Sequence, residues 1–312
     1  MELTLPSFLK VNSSFLSQNW AILDMISDIL NCTLENLVSR AKKEALSATM
    51  AGKFIRASRD ITRELYTYPY ALNPIIKSAS NKFLVLAQPR TGSTLLFDLL
   101  NSHPKISCEG NARNAEILRK RLAFPLLFIN GRTKIHCDKV YGFKLITNHL
   151  QIQNIKNEER FIENLYDQGF QIIFLKRTNI LKQSLSIMSA NSTGVWHIEK
   201  WQDQTTLTKK KIQVNCKLLM QYMEALQRQE KQYETILKNL PHLGVTYEKD
   251  LLGADKHQQT LNRIFEYLGI LSRNVETSLL KIGSESLSDS IQNYEELVET
   301  ISGTEYAKFL DE

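Results

Sequence analysis

The chain has 312 residues, of which 43% are hydrophobic and 23% charged, and its formal net charge at neutral pH is +6. This composition is ordinary for a soluble globular protein, and no apolar stretch approaches the roughly 20 residues that span a bilayer. The first residues also lack a secretory pattern, and the positive charge suits an anionic ligand.

The N-terminal segment, residues 1–78, is predicted to be a helical extension. Apolar residues recur at helical spacing between Trp20 and Leu30 and again between Leu34 and Leu46. Proline-containing breakers follow before the first strand. The sequence therefore predicts two parts, the extension over 1–78 and a main domain over 79–312.

From residue 82 onward, short apolar runs alternate with helical patterns. This alternation predicts an α/β fold with a mostly parallel sheet flanked by helices. Strands are predicted at 82–87, 141–146, 170–176 and 243–247. Helices are predicted at 94–101, 111–123, 158–168, 179–191, 206–239 and 257–268. Ligands in such folds bind beyond the carboxyl ends of the strands.

The turn after the first strand carries the most specific pattern. It reads Gln-Pro-Arg-Thr-Gly-Ser-Thr over residues 88–94 and leads directly into a helix. Free backbone N–H groups and the positive end of the helix dipole point at such a turn. The sequence therefore predicts an anion-binding loop.

The loop departs from a Walker A motif, GxxxxGK[ST]. Ala87 stands at the first glycine and Ser93 stands where the lysine should be. The apolar strand at 170–175 is followed by Lys176 and Arg177, where an NTPase needs a Mg²⁺-binding aspartate. We therefore expect a site that holds phosphates with arginine side chains and without a divalent metal.

These residues resemble PAPS-dependent sulfotransferases (PAPS is 3′-phosphoadenosine 5′-phosphosulfate). Residues 88–96 resemble the family's 5′-phosphosulfate loop, and residues 176–186 resemble its 3′-phosphate motif. Residues 192–197 and two C-terminal stretches are similar to the bacterial branch that sulfates carbohydrates, of the trehalose and Nod-factor type. The resemblance covers about residues 80–312 and implies a P-loop-like α/β fold.

The resemblance implies a role for each matching residue. Arg90 would hold the 5′-phosphosulfate and stabilise charge on the leaving phosphate, whereas Arg177 would bind the 3′-phosphate. Of two candidate serines, Ser186 fits the spacing of the bacterial branch better than Ser184. The implied donor-binding residues are Arg90, Thr91, Gly92, Ser93, Thr94, Arg177, Ser184 and Ser186.

Transfer to a hydroxyl also needs a base. Glu109 is the favoured candidate by position, although relatives often carry the glutamate two positions later, where this chain has Asn111. The other candidates for the base are His103, Glu116, His149 and His197. His197, with Trp196, could instead form a wall of the acceptor pocket.

Lys144 follows an apolar run in a stretch that resembles a family strand whose lysine faces the site. A buried lysine must be paired or must reach water, so its position is informative. The alternative is a lysine at the sheet edge that extends its ammonium into solvent.

The predicted function is transfer of a sulfuryl group from PAPS to an acceptor hydroxyl, with a carbohydrate or glycolipid acceptor favoured by the resemblance. Two alternatives remain open, a degenerate P-loop kinase or NTPase and a non-catalytic nucleotide-binding protein of the same fold. The four cysteines show no CxxC spacing, so we expect a reduced, cytoplasmic protein without a zinc site. No basic and aromatic stripe indicates nucleic-acid binding.

Overall fold

The computed structural model describes residues 62–110, 116–194, 198–199, 211–277, 279–280 and 286–310. The chain divides into two compact units. One comprises Met1–Ser78 and Arg121–Cys137, and the other comprises Ala79–Lys120 and Asp138–Glu312. Most of the predicted helical extension lies outside the described residues, and the two predicted domains stay a prediction.

The second unit is built on a parallel sheet. Five strands run in the order β2-β3-β1-β4-β6, and each neighbouring pair is parallel. The strands are β1 (Lys82–Ala87), β2 (Ile106–Glu109), β3 (Val140–Ile146), β4 (Phe170–Lys176) and β6 (His242–Thr246). A separate antiparallel pair consists of β5 (Ile198–Glu199) and β7 (Leu279–Leu280).

Helices follow most strands of the sheet. The helices of the second unit are α1 (Ser93–Asn101), α3 (Thr147–Ile152), α4 (Glu158–Asp167), α5 (Ile180–Thr193), α6 (Cys216–Leu237), α7 (Ala254–Tyr267) and α8 (Tyr294–Ser302). A π-helical turn, Tyr247–Leu251, follows β6, and a 3₁₀ turn, Ala307–Phe309, lies near the end. The first unit contains a helix at 62–72 and α2 (Pro125–Ile135). None of the helices in the described part of the chain combines the length and apolar character that a membrane crossing needs.

The central strand explains why the core forms where it does. Every residue from Phe83 to Ala87 is fully buried, because β1 has strands on both sides and helices on both faces. On one face, Val85 shares a core cluster with Phe97 of α1 and Ile264 of α7. The predicted α/β fold with a parallel sheet is thereby confirmed.

A second core cluster lies beside the sheet. It joins α5 and α6 to the C-terminal segment through apolar side chains that are almost fully buried. Its members include Leu181, Leu219, Met223, Leu297 and Ile301. This packing fixes the start of α5, which follows directly on β4 and on Arg177.

Two predicted helices differ from the structure. The described part of 111–123, residues 116–123, is not helical, because the Gln153 side-chain amide donates to the carbonyls of Leu118 and Lys120. The predicted helix over 206–239 begins at Cys216, where the Asn215 side chain accepts the Leu218 amide as an N-cap.

Candidate active site

The loop at 88–94 leaves β1 at the carboxyl edge of the sheet and begins α1. Arg90 and Gly92 both have a left-handed backbone, with φ of 64° and 84°. The Thr91 hydroxyl donates to the Gln88 carbonyl at 2.9 Å and closes the turn. Gly92 has no side chain with which to cap α1, and the first turn of α1 contains no acidic residue. The positive end of α1 therefore faces the loop without a carboxylate of its own.

Gly92 is required by its backbone and by its neighbour. A Cβ at this position would lie 2.5 Å from Cδ2 of Tyr247, in addition to the strain of the positive φ. The aromatic ring of the turn after β6 thus packs directly against the loop. Tyr247 therefore forms a wall of the loop.

Two arginines lie side by side at this edge. Nη1 of Arg177 donates to the Arg90 carbonyl at 3.2 Å, and Nε of Arg90 donates to the Ser186 hydroxyl at 2.9 Å. Burial lowers the pKa of Arg90, and the positive charge of Arg177 lowers it further. The structure therefore brings Arg90, Arg177 and Ser186 together, in a place where paired positive charge favours an anion.

The guanidinium of Arg177 is fixed by the turn after β6. It lies over the Tyr247 ring at 4.8 Å from the centroid, and its Nε lies 3.5 Å from Oε1 of Glu248. The Glu248 carboxylate also accepts the amides of Thr178 at 2.9 Å and Asn179 at 3.1 Å. Sequence reasoning missed Glu248, although its position just after a strand at the carboxyl edge was a usable signal.

Polar atoms at the start of α5 are buried without hydrogen-bond partners. They are Nε of Arg177, Oε1 of Gln183 and Oγ of Ser184. Ser184 is fully buried, whereas Ser186 is partly exposed. Buried polar groups are nearly always paired in folded proteins. Arg177 Nε still faces the Glu248 carboxylate at 3.5 Å, so the donor without any partner is the Ser184 hydroxyl, which suits an anionic ligand at this position.

Three titratable side chains form a chain next to α1. Nζ of Lys144 lies 3.1 Å from Oγ1 of Thr94 and 3.1 Å from Oε1 of Glu116. The other oxygen of Glu116 lies 3.0 Å from Nε2 of His149. Lys144 is only 1% exposed, so it is a buried lysine at the site and not an edge lysine that reaches solvent.

Glu109 ends β2 at the same edge of the sheet and is 7% exposed. Its Oε2 accepts the Tyr141 hydroxyl at 2.5 Å. Cys108 belongs to the core cluster on the α1 face, so the alternation of a strand directs Glu109 to the opposite face. The structure thus places Glu109 near the loop's edge of the sheet but on the other face from Lys144.

The remaining predicted candidates fall into two groups. His103 has both ring nitrogens engaged, with the Leu271 carbonyl at 3.0 Å and the Lys105 amide at 3.1 Å, so it is structural. His197, Trp196 and Asn111 lie outside the described residues. Within the described ranges, His, Cys, Asp and Glu side chains do not form any group of three or more that could hold a metal ion.

Comparison with known proteins points to one family. The family model described as Stf0 sulphotransferase matches residues 128–296, more than half of the chain. The match includes Arg177 and Glu248 but begins after the loop at 88–94. A crystal structure of a sulfotransferase from Alicyclobacillus acidocaldarius aligns over 75% of this chain and 95% of its own, with 14% identity and a TM-score of 0.41. No curated protein matches the chain.

The family match confirms the resemblance to sulfotransferases that the sequence motifs indicated. It extends over the strand that ends at Lys176, the start of α5 and the turn after β6. These are the elements that carry Arg177, both candidate serines and Tyr247. The chain belongs to the Stf0 sulphotransferase family.

Proposed function

We propose that the protein transfers a sulfuryl group from PAPS to the hydroxyl of a carbohydrate or glycolipid. The observation that carries the proposal is the pair Arg90 and Arg177, joined by a hydrogen bond beside the N-terminus of α1, in a chain of a sulphotransferase family. Two adjacent cations suit a donor that carries separate phosphates at its two ends.

The described residues fit such a donor. The N-terminus of α1, with Arg90 and the Thr94 hydroxyl, would hold the 5′-phosphosulfate. Arg177 and the unpaired Ser184 hydroxyl would hold the 3′-phosphate. Ser186 accepts a hydrogen bond from Arg90, which leaves its own hydroxyl proton to donate to the ligand.

PAPS supplies an activated sulfuryl group when it is bound. A bond forms between the acceptor oxygen and sulfur, the bond from sulfur to the 5′-phosphate oxygen breaks, and the acceptor proton moves to a base. Arg90 and the dipole of α1 stabilise the charge that builds on the departing phosphate, where preorganised donors contribute most. This role requires no metal.

Glu109 is the base in this proposal. It lies at the carboxyl edge of the sheet, where acceptors approach in folds of this type. The Tyr141 hydroxyl holds the carboxylate in one orientation. A change of Glu109 to Gln is expected to lower kcat about 100-fold or more, the usual contribution of a general base, and to leave donor affinity unchanged. Retained turnover would exclude Glu109 as the base.

Calorimetry with 3′,5′-ADP, the product that the donor leaves behind, tests the donor site. We expect binding without Mg²⁺, and about tenfold or greater weakening in Arg177→Ala, because one charge-assisted contact contributes about 1.5–3 kcal/mol. Lys249→Ala, on the same turn as Glu248, is the control. A folded protein that does not bind 3′,5′-ADP but binds ATP with Mg²⁺ would instead support a kinase or NTPase.

The acceptor is tested by sulfate transfer from labelled PAPS to sugars, glycolipids, phenols and peptides. Incorporation into sugars or glycolipids is expected, in line with the resemblance of residues 192–197 to the carbohydrate branch. Incorporation into phenols or peptides alone would overturn this choice of acceptor. Binding of 3′,5′-ADP without transfer to any acceptor would favour a non-catalytic binding protein.

A further inference from the structure

The site contains a buried ammonium that does not come from the loop. Lys144 lies on β3, one strand away from the loop, and is paired in register with Val85 of β1. Its Nζ reaches Oγ1 of Thr94, the residue that follows the position where a Walker loop has its lysine. Nζ also lies 5.5 Å from the centroid of the Phe97 ring. The lysine that is absent from the loop thus has a counterpart on the neighbouring strand.

We propose that Glu116 and His149 are positioning residues that keep Lys144 charged and directed at Thr94. Lys144 then supplies, from β3, a second positive charge beside the position where a Walker loop has its lysine. The inference rests on the proposed sulfuryl transfer and deepens it, since it assigns the control of a charge next to the reacting group.

Lys144 needs a partner because it is buried. Burial lowers the pKa of the Lys144 ammonium, and the adjacent Glu116 carboxylate raises it. Without that carboxylate, the lysine would release its proton at lower pH. Glu116 is therefore what holds the ammonium in its charged form at the pH of the reaction.

Glu116 is held in turn by His149. Nδ1 of His149 accepts the Ile146 amide at 3.2 Å, and Nε2 donates to Oε2 of Glu116 at 3.0 Å. This arrangement fixes the tautomer of His149, and neither ring nitrogen is free to take the proton from the hydroxyl of the sulfate acceptor. His149 consequently orients Glu116 and does not act as the base.

The surroundings of Lys144 provide no second carboxylate for this role among the described residues. The segment after β2 contributes Glu116, and α3 contributes His149 behind it. From α1 come Thr94 and Phe97, and from β1 comes the apolar Val85, none of which titrates. A single ion pair therefore controls the charge of Lys144.

The first test compares the pH dependence of sulfate transfer in the parent and in Glu116→Gln. Activity that requires charged Lys144 is lost as pH rises through its pKa, so the alkaline limb is expected to move down by about one pH unit, a tenfold loss at a fixed alkaline pH. Introducing Lys144→Arg into the Glu116→Gln protein should restore the limb. His149→Asn should move it in the same direction.

The second test needs no activity. NMR of the lysine Nζ groups in the folded protein gives the titration midpoint of Lys144 directly, and Glu116→Gln should lower it by about one unit. Glu109→Gln is the control and should leave the midpoint in place. An unchanged midpoint in Glu116→Gln would overturn the inference. So would a transfer rate that falls by the same factor at every pH and leaves the alkaline limb where it is in the parent. Failure of the parent to bind 3′,5′-ADP would instead count against the proposed function.

Discussion

Ser184 and Ser186 lie two residues apart on α5 and have different surroundings. The Ser186 hydroxyl accepts a hydrogen bond from Arg90, whereas the Ser184 hydroxyl is buried without a partner. Removal of an unpaired buried hydroxyl breaks no hydrogen bond, so Ser184→Ala should leave the free energy of unfolding nearly unchanged.

The same substitution should weaken 3′,5′-ADP about tenfold and 5′-AMP hardly at all, since only the former carries the 3′-phosphate. Ser186→Ala is the matched variant, and it should weaken both ligands because it releases Arg90. Isothermal calorimetry measures all four affinities. Selective loss of 3′,5′-ADP binding in Ser186→Ala alone would assign the 3′-phosphate to Ser186, the serine that the sequence favours.

Some residues of the site could be predicted from short patterns, and others could not. Arg177 follows an apolar strand directly and Arg90 lies three residues after one, so a local pattern indicates both of them. The contacts among Glu116, Lys144 and His149 join three separate segments, and no local sequence pattern predicts contacts between distant segments. Glu109 was favoured by position, but position along the chain does not tell on which face of the sheet a side chain lies.

At the scale of elements, the turn after β4 depends on a carboxylate from the turn after β6. Glu248→Ala removes the acceptor of two backbone amides and the partner of Arg177. We expect a loss of about 1–2 kcal/mol in the free energy of unfolding, the usual cost of a lost helix cap.

Urea denaturation measures this loss, and Glu299→Ala is the control because Glu299 is exposed on α8. That control should change stability by less than about 0.5 kcal/mol. Equal stability of the two variants would show that the carboxylate contributes nothing to the turn. The loss in Glu248→Ala should also be accompanied by faster hydrogen exchange at the Thr178 amide.

Central strands were predicted better than short or peripheral elements. The bounds of β1 and β4 agree with the sequence because long apolar runs define buried parallel strands. β2 was missed, since four residues give too short a run. The start of α6 was misplaced because Ile212 and Val214 pair with the segment at 290–293 instead of continuing the helix.

At the scale of the whole molecule, strand order determines where the site forms. The chain passes from β1 to β2 on one side and from β3 to β4 on the other, so the connections after the neighbouring strands β1 and β3 run in opposite directions and open a crevice at their carboxyl ends. The loop, Lys144 and Arg177 come from β1, β3 and β4. The sequence predicted the strands and the parallel sheet, but it contains no local signal for their order.

The stability of the molecule should depend on pH through Glu116. Burial by itself raises the pKa of this carboxyl, but the hydrogen bond from His149 and the charge of Lys144 outweigh it and lower the pKa from 4.5 to about 2. A depressed pKa stabilises the folded state above the unfolded value and loses that effect as pH falls. The contribution at neutral pH is about 3 kcal/mol.

Glu116→Gln removes this dependence. Urea unfolding between pH 7 and pH 3 should show a larger free energy of unfolding for the parent than for Glu116→Gln. The difference should be constant above pH 5 and shrink towards pH 3. Glu299→Gln should follow the parent at every pH. A margin that grows on acidification would contradict the assigned direction of the pKa shift.

The Tyr247 ring touches both halves of the proposed donor site, with an edge against Gly92 and a face beneath Arg177. One side chain thus fixes the spacing between the loop and Arg177, the two places proposed to bind phosphate. A substitution there alters both ends of the nucleotide site together, so the recognition of a doubly phosphorylated nucleotide is gained or lost as a single trait.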